Sequence, residues 1–189
     1  MAQYLDDMKS ERLLHELFES QVLSSPDRDA IQTYTLGSKQ AVTYQELNSK
    51  ANKIARLIQA TKSPHLNTIA ICMDKGPTLI AVILAVLKLG CAWSPVDPRA
   101  PAKRKSTILR ELGNCHLLVS PDHAAAFQQC PPGTSIFVWD DSSSKTVSVQ
   151  SNDNIQGVNC SAESPCHILW TSGTTGVPKG QFQFPTSCC

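Results

Sequence analysis

The chain has no excess of either charge. Seventeen Lys and Arg stand against sixteen Asp and Glu, a formal net charge of +1 over 189 residues. So weak a field gathers neither nucleic acid nor an anionic membrane surface, and neither is expected as a partner. The one basic run, "KRK" at Lys103 to Lys105, reads as a solvated helix face. A long hydrophobic run is also missing. The most apolar stretch, "TLIAVILAVLKLG" (Thr78 to Gly90), is too short to span a bilayer and contains Lys88. It reads as a buried helix. The N-terminus "MAQYLDDMKSERLLHELF" puts acidic residues where a signal peptide needs an apolar segment, so the chain reads as cytoplasmic. Metal-ligand spacing is lacking too. The eight cysteines include no CxxC pair, and the five histidines share no spacing, so no metal site is expected. Cys72, Cys91 and Cys115 lie in apolar contexts and read as buried thiols.

What is present is a globular pattern, with 41% hydrophobic and 17% charged residues. Leu13, Leu14, Leu17, Phe18 and Val22 share one helical face. "AIQTYT" and "AVTY" flank a turn, which predicts a hairpin. Thr43 and Glu46 form a capping box ahead of Leu47, Ala51, Ile54 and Ile58 at helical spacing. From "TIAICM" onward strands alternate with helices: Pro77 opens a helix that Gly90 closes, "CAWSPV" is a strand, and Pro101 to Leu112 is a helix. "CHLLVS", a short helix at "DHAAAFQQ" and "SIFVWD" continue the series. That alternation predicts an α/β fold with a mainly parallel sheet flanked by helices. Residues 140–166, rich in Ser, Asn, Asp and Gly, read as a long surface loop, after which "HILW" is a short strand.

The strand leads into "LWTSGTTGVPKG", Leu169 to Gly180. Gly173 and Gly176 let the backbone approach a ligand closely. Successive N–H groups in such a turn make a concave anion site. Thr171, Ser172, Thr174 and Thr175 add hydroxyls, Pro178 stiffens the loop, and Lys179 adds a mobile charge. The spacing is neither a Walker A loop nor a GxGxxG turn. A phosphate cradle is the chemistry these residues suit.

"LWTSGTTGVPKG" closely resembles the phosphate-loop signature of the adenylate-forming (AMP-binding) superfamily. Two further stretches resemble earlier signatures of its nonribosomal peptide synthetase adenylation domains, in the expected order: "VTYQELNSKANKIARLI" and "LAVLKLGCAWSPVDPRAPAKR". "LLHELFESQVLSSPDRDAI" resembles the usual opening of such a domain. Trp93 and Trp170 stand where the family more often has Phe or Tyr, which reads as an apolar swap.

The resemblance implies an N-terminal tail at 1–12, a partial adenylation domain over 13–180 and an unrelated tail at 181–189. It implies ATP with Mg2+, an amino or other carboxylic acid as substrate, and a phosphopantetheinyl carrier that accepts the acyl group. Thr171, Ser172, Gly173, Thr174, Thr175, Gly176 and Lys179 are the implied phosphate contacts, and no residue of this chain is assigned a catalytic role. The family's acid pocket, adenine and ribose contacts and catalytic Lys follow this loop in sequence. The polypeptide is therefore expected to be a truncated adenylating ligase, inactive alone. A non-catalytic remnant or partner-binding module, and a small phosphate-binding protein of another kind, stay open beside it.

Overall fold

A computed structural model describes residues 13–35, 37–63, 65–158, 160–171 and 178–185. Helix α1 (Leu14–Ser24) is followed by strands β1 (Asp29–Thr35) and β2 (Ser38–Thr43), which pair antiparallel as a separate hairpin. Gly37 takes φ 87° in its turn, where a side chain would be strained. Thr43 then starts helix α2 (Tyr44–Thr61) as expected. Its Oγ1 accepts the Glu46 N–H at 3.2 Å, and Glu46 Oε2 accepts the Thr43 N–H at 2.9 Å. Leu47, Ala51, Ile54 and Ile58 are all buried along the inner face.

The main sheet has six strands in the order β6-β5-β3-β4-β7-β8. They are β3 (Thr68–Cys72), β4 (Ala92–Pro95), β5 (Cys115–Val119), β6 (Thr134–Val138), β7 (His167–Thr171) and β8 (Lys179–Gln183). The first five are parallel, and only β8 runs antiparallel, against β7. Helices α3 (Pro77–Lys88) and α4 (Ala102–Leu112) make the crossovers on either side of β3. Strand alternation divides the core. Ile69 and Ile71 face α2 and α3, while Ala70, Cys72, Leu117 and Val119 face Ile108 and Leu109 of α4 and Phe127 beyond the short helix α5 (Pro121–Ala124). Both faces of β3 and β5 are covered, which is why those strands read as unbroken apolar runs.

Three expectations need correction. Residues 140–166 are not one surface loop. Helix α6 (Asp141–Ser148) forms there, capped by Asp140, whose Oδ1 accepts the Ser143 N–H at 2.9 Å. Hydrogen bonds from Ser142 and Ser143 hold that carboxyl down at about 2. Val147 is buried, and the chain beyond is tied to α2 by side-chain amides. A Ser-rich octet gives no apolar periodicity, so its helix is set by its cap and by two buried residues, Ser143 and Val147. Second, Lys105 is not solvated. It is buried, donates to the Pro98 carbonyl at 2.6 Å and lies 5.7 Å from the Phe127 ring centroid. Third, the segment set apart at 181–189 begins inside the sheet, since β8 continues through Gln183.

Cys72, Cys91 and Cys115 are buried, as expected. Desolvation pushes the Cys72 and Cys115 thiols up to about 11. The sign follows: a folded-state pKa raised above the ordinary value near 9 gives stability that is whole below pH 9 and lost as pH climbs through about 11. Chemical denaturation across pH 8–11 should show this fall, and C72A/C115A should flatten it. An unchanged slope in the double variant would place the alkaline loss elsewhere.

Candidate functional site

The strand order places a switch point between β3 and β4. The chain passes from β3 to β4 on one side, then returns to the other side for β5. In open α/β sheets, ligands bind outside the carboxyl ends of strands at such a point. An open cavity of about 700 Å³ lies there, floored by Ile71, Met73, Trp93, Val96, Leu169 and Trp170. Lys75, Arg99 and Arg104 stand at its lining with Asp74 and Asp97. Asp97 accepts the Arg99 N–H at 2.9 Å, and this bond, with the Arg99 charge, holds its carboxyl below the usual range. Its role is to fix the turn. Asp74 Oδ2 meets His123 Nε2 at 3.0 Å.

Two of the seven phosphate-contact candidates can be placed. Thr171 ends β7 and Lys179 begins β8. They are register partners, and Thr171 Oγ1 donates to the Lys179 carbonyl at 3.4 Å. Ser172, Gly173, Thr174, Thr175 and Gly176 lie outside the described residues. Strands β7 and β8, which precede and follow that segment in sequence, pair antiparallel as a stem, and β7 flanks the cavity through Leu169 and Trp170. Both stem residues are exposed, so Thr171 and Lys179 are open to a ligand.

The stem is held by contacts between residues far apart in sequence. Trp170 Nε1 donates to Ser94 Oγ at 2.8 Å, and that fully buried hydroxyl donates to the Ile168 carbonyl at 3.4 Å. The indole is not a mere apolar swap, because its N–H ties β7 to β4. Gly180 faces it: a Cβ there would sit 3.1 Å from the ring. That close approach explains a glycine directly after the lysine. Trp93 stacks on His167, with centroids 3.8 Å apart and planes 7° apart. His167 gave no signal in the sequence beyond its lack of metal-ligand spacing. It lies on an interior strand, its Nε2 has no partner among the described residues, and burial lowers its pKa. The Trp93-Ser94 pair ahead of "PVDP" and a Trp directly before Thr171 gave no separate signal, since their meeting needs β4 and β7 to be neighbours.

The profile of the AMP-binding enzyme family matches residues 18–182. The chain belongs to that family. Its sequence relatives are peptide synthetases, and it aligns with the N-terminal part of an adenylation domain. It is 34% identical to the siderophore peptide synthetase fer3 of Mycosarcoma maydis over 93% of this chain and 4% of that protein. It is also 34% identical to tyrocidine synthase 3 of Brevibacillus parabrevis over 90% of this chain and 2% of that one. The chain thus spans a few per cent of the length of these relatives. Among solved structures, a Mycobacterium tuberculosis fatty acyl CoA synthetase superposes with TM-score 0.78 at 20% identity, over 92% of this chain and 34% of that one. The N-terminal subdomain of Klebsiella oxytoca NpsA does so with TM-score 0.76 at 22% identity, over 92% and 42%. These two likenesses concern the fold. Among the described residues no helix is long and apolar enough to cross a membrane.

Proposed function

We propose that this segment is the phosphate-holding part of an ATP-dependent adenylating ligase of the peptide synthetase type. One observation carries the reading: Thr171 and Lys179 close a hairpin at the carboxyl end of the parallel sheet, in a chain of the AMP-binding family. Thr171, Ser172, Thr174 and Thr175 are assigned hydroxyl contacts to the triphosphate. Gly173 and Gly176 let backbone N–H groups approach it, and Lys179 neutralises charge as pyrophosphate departs. The reaction is attack of a carboxylate on the α-phosphate to give an acyl-adenylate, with an amino acid as the substrate class and a phosphopantetheinyl carrier as acceptor. The family also uses Mg2+. Among the described residues no group of three His, Cys, Asp or Glu side chains is placed to hold an ion.

The 189 residues alone are proposed to bind ATP weakly and not to adenylate. A few charge-assisted hydrogen bonds contribute about 1.5–3 kcal/mol each. Association costs about 4–15 kcal/mol, so the balance is millimolar or weaker. Isothermal titration of the polypeptide with ATP should give that weak binding, and Lys179→Ala should weaken it roughly tenfold. Binding indifferent to Lys179 would remove the phosphate-loop reading and favour a partner-binding module. Amino-acid-dependent pyrophosphate exchange by the polypeptide alone would overturn the assignment of inactivity.

A further inference from the structure

A small cavity lies between the C-terminal end of α3 and the connection that precedes β7. Gly90, Cys91, Cys160 and Cys166 line it with Leu14 and Leu87. Cys160 packs directly on the backbone at Gly90. A Cβ built on that glycine would lie 3.0 Å from Cys160 Cβ and 3.4 Å from its Sγ. Cys91 is the next residue, its Cα about 3.8 Å further along the chain. Cys91 and Cys160 are therefore near neighbours across this cavity, and a disulfide would hold their Cα atoms at roughly 4.4–6.8 Å.

We propose that Cys91 and Cys160 form an oxidisable dithiol, which a two-electron thiol oxidant closes to an intrachain disulfide. The bond would clasp the connection before β7 onto the end of α3. Four further observations support the pair. Burial first, and the neighbouring Cys160 after it, raise the Cys91 thiol above its ordinary value. Among the described residues Cys91 Sγ makes only long hydrogen bonds, 3.6 Å to the Leu89 carbonyl and 3.9 Å to that of Leu66. Cys160 is half-buried and so reachable by a small oxidant. Cys166, the third thiol of the cavity, donates instead to the Gln183 carbonyl at 3.4 Å.

The chemistry balances with a diazene such as diamide. The Cys160 thiolate adds to the N=N bond. The Cys91 thiolate then displaces it, forming S–S and breaking S–N. The two thiol protons and two electrons leave as the hydrazine. Burial raises both thiols above their ordinary value, so the reaction should quicken as pH rises.

The test uses the full chain carrying C188S/C189S, so that the adjacent tail cysteines do not oxidise in their place. Diamide treatment, alkylation in denaturant and non-reducing peptide mapping should yield one peptide pair joining Cys91 to Cys160, about 2 Da lighter than the two thiol peptides together. C166S should leave it intact, C160S should abolish it, and dithiothreitol should restore two alkylatable thiols. The oxidised chain should also melt at a higher temperature than the reduced one. A Cys160–Cys166 bond, or Cys91 still fully alkylatable after oxidation, overturns the proposal.

Discussion

Lys88→Ala should lower the unfolding free energy by about 3 kcal/mol in urea denaturation, with little change in the denaturant slope. Lys88 sits in the last turn of α3 with 1% of its side chain exposed. It ion-pairs with Glu19 of α1, and its ammonium lies 3.5 Å from Asn154 Oδ1. Desolvation lowers its pKa, and the Glu19 carboxylate opposes that shift. Removing one partner strands the other charge near the core and deletes a cation from the negative end of a helix. Replacing the whole pair differs in kind, because the desolvation cost of both ions disappears with their attraction. Lys88→Met with Glu19→Leu should therefore recover most of the loss. If the double variant is as unstable as Lys88→Ala, then packing at Lys88, and not the charge, sets the effect.

Asn154→Ala should cost about 2–3 kcal/mol, each stranded donor contributing roughly 1–3 kcal/mol less whatever water recovers. One oxygen, Asn154 Oδ1, accepts from Asn48 Nδ2 at 3.0 Å and from Asn52 Nδ2 at 2.9 Å, with Lys88 Nζ at 3.5 Å. Asn48 is 7% exposed and Asn52 fully buried. Around this hub, Asn52 Nδ2 also donates to the Asn152 carbonyl, and Arg56 to that of Asp153. The strap from Ser151 to Ile155 is thus tied to α2 by amides rather than by apolar packing alone. Loss should appear first as faster amide exchange in 149–158, ahead of any change in the sheet. Asn154→Asp should restore part of the stability, since a carboxylate still accepts. A neutral Asn154→Ala would mean that water replaces the hub without cost.

Regular elements with strong periodicity were legible. Leu47, Ala51, Ile54 and Ile58 announced α2, the Thr43–Glu46 box set its start, and the apolar blocks of β3 and β5 announced a buried parallel sheet. Helix α6 was not legible, because "DSSSKTVS" has the composition of a loop and is ordered by its Asp140 cap and by the burial of Ser143 and Val147. The site divides in the same way. Thr171 and Lys179 were named from local chemistry, whereas their pairing across a hairpin stem and the Trp170–Ser94 bond join residues that no local pattern connects.

Hydrophobic periodicity was enough, by itself, to determine the fold class, because it is a local property of the chain, while the family followed from the resemblance of three ordered stretches to known signatures. Tertiary structure alone decided the environment of Lys88, Lys105 and His167, the neighbours of Cys160 and the anchoring of residues 149–158. Burial and hydrogen bonding depend on which distant elements meet. A lysine or an asparagine reads the same in sequence whether water or a helix lies above it.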